Sequence, residues 1–123
     1  MATLTPTLTL ASSDMNGDVL NLSSTDTLTI LGQITTKQVV VTTTSVIFAA
    51  AAGYTKSFVY LKNLSTVAAE IITIEKADSD DEYLLLGAGE FAFFPWASLV
   101  DLALDGATGS PVLEVRIYQE AAA

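Results

Sequence analysis

The sequence contains no cysteine and no histidine, and these two absences exclude several classes of chemistry. Without cysteine there are no disulfides, thiolate nucleophiles or zinc–sulfur centres, and nothing indicates a redox compartment. Without histidine there is no Ser-His-Asp or Cys-His pair, and the commonest transition-metal ligand is missing. The glycines at Gly87 and Gly89 are too closely spaced for a nucleotide-binding loop, and they lie between two predicted strands. The sequence therefore predicts a protein that is not an enzyme, with no catalytic residues and no cofactor.

Positive charge is also scarce, with five Lys and Arg against 14 Asp and Glu and a net charge of −9. The cations are spread singly along the chain, which argues against binding to nucleic acid or to an anionic membrane.

The longest apolar run, residues 46–52, is far shorter than the ~20 residues of a membrane-spanning helix. The first residues lack the basic and apolar regions of a secretory signal, so we expect a protein made in a cytoplasm.

Apolar and β-branched residues are abundant. Half of the residues are hydrophobic and the mean hydropathy is +0.49. The chain has 16 threonines and 10 serines, and the threonines cluster in strand-like alternating runs. Threonine is β-branched and favours strands, and its hydroxyl suits exposed cross-strand pairs. At 123 residues the chain is long enough for one domain with one core.

Short strand-like runs separated by turn signals extend along the whole chain. They cover residues 3–10, 26–31, 38–48, 57–62, 70–76, 83–86, 91–94, 99–104 and 112–118. In the last run Leu113, Val115 and Ile117 fall on one face, and Glu114 and Arg116 fall on the other. The pattern predicts an all-β, single-domain antiparallel β-sandwich or jelly roll of about 8–9 short strands.

The first 25 residues have two interpretations. Leu4, Leu8 and Leu10 alternate with threonine, and Pro6 interrupts the run, so the segment is either an edge strand or an extended arm. An arm would pair with the sheet edge of a neighbouring chain. Residues 26–120 would then form the sandwich, and residues 121–123 would be a short flexible tail.

An aromatic cluster follows the glycine turn at residues 87–90. We predict that Phe91 and Phe93 share one face, that Phe94 and Trp96 are divided between the faces, and that core and subunit interface share the cluster. A carbohydrate platform is the alternative. Together with the N-terminal leucines, this gives a candidate interface of Leu4, Leu8, Leu10, Phe91, Phe94 and Trp96.

Two acidic segments, residues 14–18 and 78–82, place several oxygen ligands close together, as Ca²⁺ requires. The segment 78–82 lacks the spacing and the central glycine of a calcium loop, and 14–18 is similar to such a loop only superficially. An Asn-Gly turn and a solvated hairpin tip explain them better, so we predict no metal site.

Several of these runs together resemble small β-sandwich structural proteins of tailed bacteriophages. The matching features are a tyrosine-x-lysine-asparagine strand (58–65), an apolar strand (70–74), a glycine-glutamate turn entering an aromatic strand that ends in proline (86–96), and a final strand (113–117). The segments 6–13 and 22–29 are similar to the starts of virion proteins in marine and cyanobacterial phages.

The resemblance implies a virion component, with a capsid cement (decoration) protein favoured and a tail, neck or fibre component next. Such cement proteins are commonly trimers at junctions between capsid subunits, so the implied partners are copies of the chain and a major capsid protein. The implied location is the exterior of the virion. No binding residues follow from this resemblance.

Overall fold

The computed structural model describes residues 2–14, 19–41, 45–48, 56–76, 82–97, 102–105 and 109–120. Within these ranges there is no helix, and hence none long and apolar enough to cross a membrane. The strands are β1 (Ala2–Leu4), β2 (Thr7–Ser12), β3 (Leu20–Thr25), β4 (Leu28–Val40), β5 (Ser45–Phe48), β6 (Lys56–Asn63), β7 (Ile72–Lys76), β8 (Glu82–Leu86), β9 (Phe91–Ala97), β10 (Leu102–Asp105) and β11 (Val112–Glu120).

These strands form three antiparallel sheets. One sheet has the order β1-β4-β11-β6-β9 and a second has the order β5-β10-β7-β8, while β2 pairs only with β3 among the described strands. The predicted all-β antiparallel class is confirmed. The strand number is higher than predicted, because Pro6 divides the first run into β1 and β2 and because β3 was not recognised. The predicted runs 26–31 and 38–48 have different bounds in the structure. The long β4 includes most of the first run and the start of the second, and the short β5 forms the end of the second.

The core lies between the five-stranded and four-stranded sheets. Alternate residues of β6 and β11 pack against those of β7, β8 and β10, and the fully buried side chains include Leu61, Leu113, Val115, Ile74 and Leu104. Each such side chain contributes about 1.5–3 kcal/mol by leaving water. The predicted alternation of β11 is confirmed, since Leu113, Val115 and Ile117 are all 0% exposed and the residues between them are only partly buried.

A buried asparagine joins the two sheets at one end of the sandwich. The side-chain amide of Asn63, at the end of β6, donates to the carbonyls of Glu70 (2.9 Å) and Leu86 (3.1 Å). Its side-chain oxygen accepts from the Ser65 amide at 3.0 Å. Because Leu86 ends β8 of the opposite sheet, this single side chain connects both layers of the sandwich.

The predicted glycine turn between β8 and β9 is present. Gly89 has a φ of +78°, which favours glycine, and the Gly87 amide donates to the Glu90 carboxylate at 2.9 Å. The turn also donates from the Gly89 amide to the Asn63 carbonyl at 2.9 Å, so it is held against the end of β6.

The N-terminal segment forms two separate structures. β1 is an edge strand of the five-stranded sheet and pairs with β4, with Ala2 opposite Ile30 and Leu4 opposite Leu28. Pro6 follows, and the chain then enters the β2–β3 hairpin before it returns to β4 through Asp26. The Asp26 amide donates to the Pro6 carbonyl at 3.2 Å, and this hydrogen bond joins the two ends of the hairpin.

Several predicted loops lie wholly or largely outside the described residues. They are the turn at 14–18 beyond Asp14, the alanine-rich segment 49–53, the acidic segment 78–82 up to β8, and the tail 121–123.

Candidate interaction surface

The outer face of the five-stranded sheet is the first candidate surface. Antiparallel pairing aligns Phe93, Tyr60 and Arg116 in one row across β9, β6 and β11, and aligns Phe91, Lys62 and Glu114 in the next row. Directly paired residues project from the same side of a sheet. Phe91 is 58% exposed and Phe93 is 38% exposed, so this side of β9 presents two phenylalanine rings to solvent.

The opposite side of β9 belongs to the core. Phe94 and Trp96 both pack against the core cluster, and their rings meet nearly edge to face, with centroids 6.0 Å apart and an interplanar angle of 76°. The expectation that these two residues lie on different faces was therefore wrong. They are two positions apart in a regular strand, and such residues share a face.

A buried aromatic ring packs against one of the two exposed phenylalanine rings of β9. Phe58, on the outer face of β6 and only 4% exposed, stacks on Phe93 with centroids 6.3 Å apart and an interplanar angle of 7°. The Lys56 ammonium lies 5.3 Å from the centre of the Phe58 ring and 3.0 Å from a Glu120 carboxylate oxygen. Phe93 is therefore fixed against a buried ring, which makes it a pre-organised contact residue.

Titratable groups lie beside the aromatic rings. Burial, together with the negative charge of Glu114, raises the pKa of Tyr60, and the positive charge of Arg116 opposes this effect. The Arg116 Nε lies 3.5 Å from a Glu114 oxygen, and Glu114 raises the pKa of Arg116. Arg116 thus stays protonated, and the phenol of Tyr60 stays neutral over the physiological range.

The sign of the charge on this face differs from that of the whole molecule. Lys56, Lys62 and Arg116 are on the outer face with two carboxylates, Glu114 and Glu120. Three of the chain's five cations are therefore on one side of one sheet, while the chain as a whole has a charge of −9. Because Lys56 is paired with Glu120 and Arg116 with Glu114, this face repels an acidic surface less than the rest of the molecule does.

The β2–β3 hairpin is the second candidate surface. On one side Thr7 pairs with Thr25 and Thr9 with Ser23, with hydroxyl–hydroxyl distances of 3.2 and 3.5 Å. The other side presents Leu8, Leu10 and Leu22, which are 45%, 43% and 48% exposed. We call this second side the leucine face; Leu10 and Leu22 are directly paired across it.

The two surfaces meet at an open groove. Its walls are Pro6, Thr7, Leu8, Ser24 and Asp26 from the base of the hairpin, and Phe91, Ala92 and Phe93 from β9. A second depression continues over the sheet, where Leu4, Pro6 and Thr7 lie opposite Tyr60, Arg116 and Tyr118. The leucine face therefore borders the phenylalanine side of β9 only near its base, and Leu10 and Leu22 lie beyond the groove.

The six predicted interface residues divide into two groups. Leu8, Leu10 and Phe91 are exposed on the hairpin and β9, and Leu4 is partly buried in β1 beside the second depression. Phe94 and Trp96 face the core instead.

Sequence analysis missed Phe93 and Leu22 as surface residues. The alternation in residues 20–25 would have identified Leu22, because leucine occupies every second position at its start. Only the register of β9 on β6 shows which aromatic residues are outside.

A metal site is not indicated among the described residues, where no three acidic side chains converge. Asp14 is engaged locally, since the Ser12 hydroxyl donates to its carboxylate at 2.8 Å.

Comparisons with known protein families, with characterised proteins and with solved structures find no match for this chain.

Proposed function

We propose that the chain is a non-enzymatic structural protein that self-associates and bridges subunits of a larger protein shell. The specific role that we favour is that of a capsid cement protein on the exterior of a tailed-bacteriophage virion. The observation on which the proposal rests is the leucine face of the β2–β3 hairpin, whose three leucines stay close to half exposed in the described part of the chain.

An uncovered hairpin of this kind is unfavourable in an isolated molecule. A two-stranded sheet alone in water is at best marginally stable, because it buries too little apolar surface to offset the entropy of ordering its strands. Here the two strands contact mainly each other, and three leucines remain close to half exposed. A partner surface on the leucine face would supply the missing burial.

The exposed rings of Phe91 and Phe93 support the same proposal from the sandwich itself. Aromatic side chains are enriched in the centres of protein interfaces, and Phe93 is already ordered by its stacking on Phe58. A cement protein attaches to several shell subunits at once, so each contact needs to contribute only a few kcal/mol. An acidic protein is also suited to the outside of a shell that encloses DNA.

The proposal is tested by counting copies of this chain in purified phage particles, relative to the major capsid protein, by quantitative mass spectrometry. Hundreds of copies per particle are expected for a cement protein. A few to a few dozen copies would instead assign the chain to a tail, neck or fibre, because an all-β fold of this kind is compatible with those roles too. Absence from particles would contradict both roles.

A carbohydrate-binding module is the second candidate, because Phe91 and Phe93 present exposed rings beside a groove. Trp96 does not contribute to such a platform, since its ring faces the core. A glycan-array screen tests this candidate, with Phe91→Ala as the variant that should lose binding and Phe94→Leu as the core-facing control. No binding by the wild-type chain would remove the candidate.

A further inference from the structure

The leucine face of the hairpin and the phenylalanine side of β9 are complementary apolar surfaces on one molecule. We infer that the leucine face of one copy docks onto Phe91 and Phe93 of a neighbouring copy. This inference rests on the proposed self-association and identifies its contact. A second copy of the chain is thus the occupant of the exposed β9 surface.

The distribution of charge favours a second copy as that occupant. Any two copies repel each other through their net charge of −9, so they must meet where this repulsion is smallest. The hairpin strands β2 and β3 contain no charged residue, and neither does β9. Lys62 lies beside Phe91 and Arg116 lies in the row of Phe93, so this side of the sheet repels the acidic body of a neighbour less than the rest of the molecule does.

The position of the leucines favours a contact between copies over one within a copy. Leu8 lines the groove against its own Phe91 and Phe93, whereas Leu10 and Leu22 are not among the groove's lining residues and remain 43% and 48% exposed. These two leucines are therefore free to reach a neighbour's β9.

The contact joins two different surfaces, hairpin to sheet. Such a heterologous contact closes into a ring when the rotation between copies allows it.

Cross-linking gives a direct test, because the native chain has no cysteine and every introduced thiol is unique. We would mix a Leu10→Cys chain with a differently tagged Phe91→Cys chain, after exchange of subunits, and treat the mixture with a short bismaleimide. The matched control is Thr9→Cys, which projects from the opposite side of the same hairpin. Near-native circular dichroism of each variant shows that the sandwich remains folded.

The expected result is a covalent dimer of the two tagged chains from the Leu10→Cys and Phe91→Cys mixture, and much less from Thr9→Cys with Phe91→Cys. Equal yields from both mixtures, or no cross-link from either while sedimentation shows an oligomer, would overturn the docking geometry. A wild-type chain that is monomeric at all concentrations would also overturn it. The particle copy number would still test the virion role separately.

A second measurement does not depend on cross-linking. Leu10→Thr places a β-branched residue that favours strands in β2 but removes the apolar contact, so we expect the dissociation constant for self-association to rise at least about tenfold. Thr9→Val, on the opposite side, should change it by less than about threefold. The reverse order of these two effects in sedimentation equilibrium would contradict the inference.

Discussion

Asn63 shows how one buried polar side chain can define an end of the sandwich. Its amide and carbonyl groups are bonded to Glu70, Leu86 and Ser65, and the residue is 0% exposed. A buried asparagine is costly unless its hydrogen bonds are made, and here three are made at once. The asparagine of the tyrosine-x-lysine-asparagine strand therefore has a structural role.

Replacing this residue should destabilise the fold strongly. Asn63→Ala leaves the carbonyls of Glu70 and Leu86 without their donor, and we expect the free energy of unfolding to fall by about 2–4 kcal/mol. Urea denaturation followed by circular dichroism measures the change. Asn21→Ala, exposed on the hairpin, is the control and should cost less than about 0.5 kcal/mol. Similar small losses for both variants would show that the Asn63 bonds contribute little.

Tyr60 offers a titration that reports on the outer face. Burial and Glu114 raise its pKa, so in the folded state the phenol ionises at higher pH than the ordinary value of 10.0. Its contribution to stability is thus fully present below about pH 10 and is lost as the pH rises through the folded-state pKa. The difference in phenolate absorbance between the wild-type chain and Tyr60→Phe isolates this group.

Two neighbouring variants should move the Tyr60 titration in opposite directions. Glu114→Gln removes a negative charge and should lower the pKa of Tyr60, whereas Arg116→Gln removes a positive charge and should raise it. Shifts of the same sign in both variants would mean that the charges of Glu114 and Arg116 do not act on Tyr60 as this geometry requires.

At the scale of elements, the residues that precede and follow the β2–β3 hairpin are hydrogen-bonded to each other. Since the Asp26 amide already donates to the Pro6 carbonyl, two residues placed between them would complete an ordinary β-turn. We expect replacement of residues 7–25 by Asn-Gly to change the unfolding free energy of the sandwich by less than about 1 kcal/mol. The same variant should lose self-association in sedimentation experiments.

This excision is a sharper test than deletion of residues 1–12, which would also remove β1 and uncover β4. A sandwich that unfolds after the excision would show instead that the hairpin stabilises its own chain. The control is replacement of Ser12 and Ser13 by alanine, which leaves the leucine face intact.

The regular elements could be predicted from the sequence because their patterns are local. Alternation identified β11 and its buried face, and the glycine turn before β9 was evident from Gly87 and Gly89. The long β4 could not be predicted, because Gly32 and Gln33 interrupt its apolar pattern and its continuity depends on pairing with β11. Which side of β9 faces solvent likewise depends on sheet packing, which no local pattern encodes.

The candidate surface was predicted only in part, for the same reason. The alternation of Leu8 and Leu10 showed an amphipathic strand, but not that its partner would be β3 instead of a strand of the sandwich. The groove joins residues far apart in sequence, Pro6 and Phe91 among them, and so could not be read from either segment.

At the scale of the whole molecule, net charge should govern solubility. The sequence isoelectric point is about 4.1, so repulsion between copies vanishes near that pH. We expect light scattering to rise sharply as the pH falls toward 4.1 and to be low at pH 7. Changing Asp78, Asp80 and Asp81 to asparagine reduces the net charge from −9 to −6 and should move the rise to higher pH.

Ser79→Ala, within the same segment, is the control and should leave the pH of the scattering rise unchanged. If all three chains scatter equally at every pH, apolar contacts and not charge determine the solubility of the protein.

The edge position of β1 has a topological consequence. Ala2 and Glu120 both pair with Ile30, from opposite sides of β4, so the first strand begins and the last strand ends in the same row of one sheet. Two strand spacings separate them, about 10 Å. Both strands run antiparallel to β4 and therefore parallel to each other, so a connection from the end of β11 to the start of β1 would have to cross a face of β4. Such crossovers need about a dozen residues or more. A circularly permuted chain would therefore keep these strand pairings only if a linker of at least that length joined β11 to β1.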